Sequence, residues 1–222
     1  MDYAKENQYM RSDDAYNLRM TNRAHCAGPW DFPPIHFDET IEPPPDLVGF
    51  NYAKTHRDKN VGIHFFLDDY QFERVWRRPE SYTRMLSQYW AVLTPDFSTY
   101  LDMPLPMRLW NMYRSRALGS WWQRQGIPVI PTLQWSDETS LAYSFGGLPH
   151  GGIVAVSTVG ARKTPEAEDN WRKGIEAALV ELAPHHVIHH GRPLGGVDWH
   201  GAEVHCYTTQ TERMKNDGWT RR

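Results

Sequence analysis

Cysteine is scarce. Cys26 and Cys206 are the only two in 222 residues, too few for a disulfide scaffold or a four-cysteine zinc site. Long apolar runs are missing as well: nothing approaches the roughly 18 residues of a membrane-spanning helix, and residues 1–22 lack the apolar centre of a signal peptide. A cytoplasmic protein without a membrane partner is therefore expected. Neither charge sign prevails, since 24 Lys and Arg against 27 Asp and Glu leave a formal charge of −3. No overall basic field favours nucleic acid. Catalytic signatures are absent too: no GxxxxGK, no GxSxG, no HExxH, and no glycine fingerprint after an apolar run. A chain of this length buries roughly 70% of its unfolded surface, so its core needs neither disulfide nor metal.

Aromatic residues, by contrast, are abundant. Ten Trp, eleven Tyr and eight Phe make up 13% of the chain, so large rings with polar edges must fill much of the core or build a stacking or partner-binding surface. Residues 1–45 are polar and then rich in proline (Pro33, Pro34, Pro43, Pro44, Pro45), which prevents helix and central strand. They read as an extended N-terminal arm, followed by a single α/β domain over 46–215 and a frayed tail over 216–222.

Within the domain, short apolar runs alternate with helical stretches. Strands are expected at 46–50, 62–67, 91–94, 127–132, 152–157, 187–190 and 203–206, although Pro128 and Pro131 are awkward in a central strand. The longest helix is expected at 105–125, with Gly126 as its C-terminal glycine. Another opens at Thr164 as N-cap with Pro165 behind it, and Pro184 stops it. Strands separated by helices over about 30 residues imply right-handed βαβ units. The expected fold is a mostly parallel α/β sheet of about seven strands, an incomplete or distorted β/α barrel and not a nucleotide-binding doubly wound sheet.

Several segments carry a resemblance. HFFLDDYQFERVWRRPESY (64–82), LTPDFSTYLDMP (93–104), the Asn111/Tyr113/Arg114 helix, GIPVIPTLQWSD (126–137) and IVAVSTVG (153–160), with weaker continuation at Trp171 and the TERM segment from Thr211, resemble the domain-of-unknown-function family numbered 4417. The likeness covers about residues 46–215. It implies a bacteriophage or mobile-element protein working in a bacterial host cell, and an accessory role such as partnering a large serine integrase to set recombination direction. It implies no reaction and no cofactor. The HHVIHH segment and the proline-rich arm lie outside its pattern.

Parallel strands present their carboxyl ends to ligands. The residues expected there are Asp68, Asp69, Asp96, Ser98, Gln134, Trp135, Asp137, Ser157, Thr158, His190 and Arg192. Asp68, Asp69, Asp96 and Asp137, with Ser157, are the catalytic candidates, able to supply an acid–base pair or hold a divalent cation. Asp96, Ser98, Trp135, Asp137, Thr158, His190 and Arg192 are the ligand-binding candidates. The competing reading is that each aspartate caps a helical turn. Among the histidines, alternation puts His186 and His190 on one face of a strand and His185 and His189 on the other, with His200, His205 and Cys206 nearby. That split leaves no local three-ligand set, so no metal is expected, and partly exposed strand ends are. Cys206 reads as a small buried hydrophobe. Arg74, Trp76, Arg77, Arg78 and Arg84 form the best partner-binding patch; Arg108, Arg114, Arg116 and Arg124 form a second basic stripe that reads equally as a solvated helix face. Protein binding leads the functional readings, and a hydrolase-type enzyme using the rim acids is the alternative.

Overall fold

The structure is a computed structural model, and it describes residues 16–21, 26 and 28–216. Seven short strands run parallel: β1 (Leu47–Gly49), β2 (Gly62–His64), β3 (Ala91–Leu93), β4 (Val129–Ile130), β5 (Ile153–Ser157), β6 (His186–His190) and β7 (Glu203–Tyr207). They pair in chain order as a four-stranded sheet, β1-β2-β3-β4, and a three-stranded sheet, β5-β6-β7. The helices between them are α1 (Glu73–Arg77), α2 (Pro79–Leu86), α3 (Leu105–Arg124), α4 (Leu141–Ser144) and α5 (Pro165–Leu182), and α6 (Gln210–Asn216) follows β7. The parallel α/β class and the seven strands are as expected. The barrel is not shown, because no ladder joins β7 to β1 among the described residues.

Prolines explain the brevity of β4. Pro128 and Pro131 flank it and cannot donate, yet both accept: Val92 N donates to Pro128 O and Ala155 N to Pro131 O, each at 2.8 Å. The second of these bonds, with Leu133 N to Ala155 O at 2.8 Å, places β5 alongside the end of β4 and links the sheets.

Burial on both faces accounts for the apolar runs, as parallel sheets require. Ile63, Val92, Val129, Val154, Val156 and Val187 pack under Leu118, Trp122, Trp171, Ile175 and Leu179 of the helices. On the opposite face Leu47, Phe66, Ala91, Leu93, Ile130, Ile153, Ala155 and Ile188 form a second core drawn from both sheets and from no helix. Between the first and last strands the connection is made by side chains. Tyr207 Oη donates to Pro44 O at 2.6 Å, and Arg213 forks onto Asp46 at 2.7 and 2.5 Å.

The long helix corrects one expectation. Arg116, read as part of a solvated stripe, is fully buried, and its guanidinium donates to the carbonyls of Ser144 (2.8 Å), Gly146 (3.2 Å) and Thr132 (3.5 Å). Burial brings its pKa down to about 9. Arg114 is buried as well, and Arg124 bonds Met20 O. α3 lies between the sheet and the N-terminal arm, where Gly119 permits the approach of Thr94 and Ile35. Of the 1–45 arm, Met20, Phe32 and Ile35 are buried, and Ile35 N donates to Gly147 O at 2.8 Å. Residues 1–15, 22–25 and 27 of the arm, and 217–222 of the tail, lie outside the described residues.

Candidate functional site

The carboxyl ends of β2, β3 and β4 bring two of the four predicted aspartates together. Asp69, in the turn after β2, accepts from Ser98 N (3.2 Å) and Ser98 Oγ (2.9 Å) on the loop after β3. That clasp carries Asp96 near Asp69. Burial pushes the Asp96 carboxyl up to about 7, the Asp69 charge adds to the rise, and a hydrogen bond from Gln134 opposes it. Gln134 itself donates to Phe97 O at 2.8 Å, while its Oε1 has no partner among the described residues. Asn111 ties the loop down through Ser98 O (2.6 Å) and accepts from Arg114, which reaches Glu73 at 2.7 Å and covers the Phe97 ring at 3.8 Å.

Asp68 and Asp137 do not join this pair. Asp68 is exposed, and among the described residues its carboxylate accepts only from the Gln71 side-chain amide, at 3.5 Å. Asp137 accepts from Thr139 Oγ1 (2.6 Å), Ser140 N (3.0 Å) and Arg108 (3.2 Å), capping its own 3-10 turn. Those bonds, Thr139 first, hold its carboxyl below the ordinary carboxylate range. Trp135 is spent on packing: its indole donates to Asn170 O at 3.3 Å and its ring lies against Gly174.

Across the second core, Ser157 Oγ meets His190 Nδ1 at 3.2 Å. The His190 ring stands 4.4 Å from that of His64 and 4.9 Å from Phe66, centroid to centroid. Burial lowers His190 to about 4 and holds His64 well below the usual imidazole range, with His190 adding to the second shift. Both rings are therefore neutral at physiological pH. Thr158 donates to Arg192 O at 2.8 Å, and the Arg192 side chain is exposed. The expectation of partly exposed histidines is corrected here. His189 and His190 are buried, and His189 lies between the rings of Trp171 and Trp199 with both nitrogens unpartnered among the described residues.

The basic patch on α1 and α2 is half as drawn. Trp76 is 6% exposed and belongs to the core, so it is no surface anchor. It meets Trp110 edge-on at 5.3 Å, and Trp110 (38% exposed) meets Tyr16 (57% exposed) at 6.5 Å. Arg74, Arg77, Arg78 and Arg84 are exposed; Arg74 lies over Phe50 at 5.1 Å and Arg77 lies 3.7 Å from Glu73. α1 thus carries exposed cations and, through the Trp76 ring, meets the half-exposed Trp110.

A different cluster stands at the other end of the strands. Parallel register sets His186 of β6 beside Glu203 of β7, and alternation returns His205 to the same face. His186 Nδ1 lies 3.1 Å from His205 Nε2, and the Glu203 carboxylate lies 3.6 Å from each ring. All three, with Pro43–Pro45, Cys206 and Tyr207, line an open cavity of about 580 Å³ between β7 and the segment leading into β1. Cys206 is exposed, against the expectation of burial.

Comparison with known proteins now adds the family. A family model described as "Domain of unknown function (DUF4417)" matches residues 24–208. The chain belongs to the DUF4417 family. Two relatives, each called "Gene 1 protein", come from phages: that of Mycobacterium phage L5 is 36% identical over 206 residues, covering 91% of this chain and 88% of its own, and that of Mycobacterium phage D29 is 36% identical over 213 residues, covering 93% and 77%. No solved structure matches. In this DUF4417 chain, sequence reasoning missed His64 as a partner of His190 and the His186/Glu203/His205 grouping. The signal for the second was present in the Glu-x-His spacing of β7, but it needs the register of β6 to become a cluster.

Proposed function

We propose that this DUF4417 protein is a phage accessory protein that works by binding a protein partner, a DNA-processing enzyme such as a serine integrase whose recombination direction it sets. The observation that carries the reading is the set of exposed arginines Arg74, Arg77, Arg78 and Arg84 across α1 and α2, with the half-exposed Trp110 and Tyr16 reached from α1 through the ring of the buried Trp76. Arginine and large aromatic side chains are the types that anchor interfaces, because a planar cation and a rigid ring each bury much area at little entropic cost. Phage relatives support the context. The test uses purified chain and purified integrase from the same phage at physiological salt. Saturable binding is expected, weakened at least about tenfold by W110A and by R77E/R78E, with each variant still folded by circular dichroism. No saturable binding by the intact chain, or binding that both variants keep, overturns the reading.

A second reading rests on the Asp69–Asp96 pair: an acid titrating at about 7 beside a second carboxylate is suited to general acid–base work in a hydrolase-type reaction. It also takes the two sheets as one curled, barrel-like surface, supported by the His64–His190 contact between them. Turnover of ester or phosphoester substrates that D96N abolishes would support it, and turnover that D96N retains would remove it.

A further inference from the structure

We propose that His186, Glu203 and His205 form a binding site for one divalent transition-metal cation of the zinc class, with its fourth coordination position facing the cavity between β7 and residues 42–45. Neither the family nor the partner-binding reading assigns these residues a role, and the inference does not depend on that reading.

Triangle geometry is the main argument. A tetrahedral cation with bonds of ~2.0–2.1 Å to nitrogen and oxygen sets its ligand atoms ~3.3 Å apart. His186 Nδ1 and His205 Nε2 lie 3.1 Å apart, one Glu203 oxygen lies 3.6 Å from the first and the other oxygen 3.6 Å from the second, and one ligand atom from each residue falls within 4.8 Å of the others. Rotation of the exposed Glu203 side chain brings a single oxygen towards both nitrogens and closes the remaining distance.

The chemistry of the donor set agrees. Two imidazole nitrogens point at one another, with a carboxylate bordering both; without a cation, one ring must donate to the other and the carboxylate is left at 3.6 Å, too long for a hydrogen bond. A cation satisfies all three lone pairs together. Two His and one Glu leave a tetrahedral site one position short, which is the pattern of sites that exchange water or a substrate oxygen. Here the vacant direction has room, in the cavity of about 580 Å³. The ladder itself preorganises the site, since β6 and β7 pair over five residues and fix the facing of His186 against Glu203 and His205.

The test is titration of the full chain, freed of metal by chelator and desalted, first with Co²⁺ and then with competing Zn²⁺. Saturation at one equivalent is expected, with visible bands of a tetrahedral Co²⁺ centre that Zn²⁺ displaces. H186A and H205A should each weaken Co²⁺ binding at least about tenfold, and E203Q should weaken it too, whereas H150A, at an exposed histidine elsewhere, should not. Circular dichroism establishes that each variant is folded, and if one is not, the remaining two decide. Absence of saturable binding, or binding by folded H186A, H205A and E203Q equal to that of the unaltered chain, overturns the proposal.

Discussion

Asp96 and His190 make folding depend on pH in opposite directions. Asp96 titrates at about 7 in the folded chain against 3.8 in the open one, so the native state holds its proton longer. The stability this gives is complete below pH 4 and is lost as pH rises to 7. His190 titrates at about 4 against 6.5, and His64 is also lowered, so the native state refuses protons that the unfolded chain takes. Their contribution is present above pH 6.5 and lost as pH falls through 4. Thermal unfolding followed from pH 4 to 8 should therefore show D96N gaining on the unaltered chain as pH rises from 4 to 7, by about 1–3 kcal/mol. H190Q should gain on it as pH falls from 7 to 4. Parallel pH curves for variant and parent would remove the assigned role of either group. The sequence places aspartates after the strands, and the structure pairs only Asp69 with Asp96. Which of them would couple was not legible in the sequence, because the Asp69–Ser98 clasp joins loops 29 positions apart and Asp137 is diverted by its neighbours Thr139 and Ser140.

Helix ends and close approaches decide the stability of the individual elements. Thr164 caps α5 by accepting from Ala167 N at 3.2 Å, and Pro165 occupies the first turn, where its missing donor costs nothing. Replacing Thr164 by Ala should lower unfolding free energy by about 1 kcal/mol in a denaturant titration. Gly174 is under stricter control: a Cβ there would sit 2.1 Å from the Trp135 ring, which is tied to the same helix by its bond to Asn170 O and its contact with Trp171. G174A should cost about 1–3 kcal/mol and disturb Trp135 fluorescence, while T164A leaves that emission unchanged. α5 was readable because cap, proline and apolar spacing agree. α3 was readable in extent and misread in environment. Its arginines repeat around the helix as a solvated face would, yet the carbonyls that satisfy Arg116 come from Thr132, Ser144 and Gly146, positions no local pattern connects to it. The His186/Glu203/His205 grouping was hidden for a similar reason, since alternation orders one strand and says nothing of its neighbour.

The molecule returns upon its beginning through Asp46 and Arg213, separated by 167 positions, and through Tyr207 and Pro44. A half-buried pair of this kind is worth little by Coulomb attraction alone, but the forked geometry and the adjoining tyrosine bond make the join more than a surface ion pair. R213A should lower unfolding free energy by about 0.5–2 kcal/mol, and hydrogen exchange should accelerate at the β7 amides before those of β3. Uniform acceleration would mean that the join holds no particular edge. Arg213 lies past residue 208, where the family match stops. During translation this latch emerges after β1 to β7, and until it does the nascent polypeptide keeps the Leu47 edge of its inner core unsealed. A stop codon placed before position 213 should release chains that recruit chaperones and precipitate, although β1 to β7 have already been synthesised.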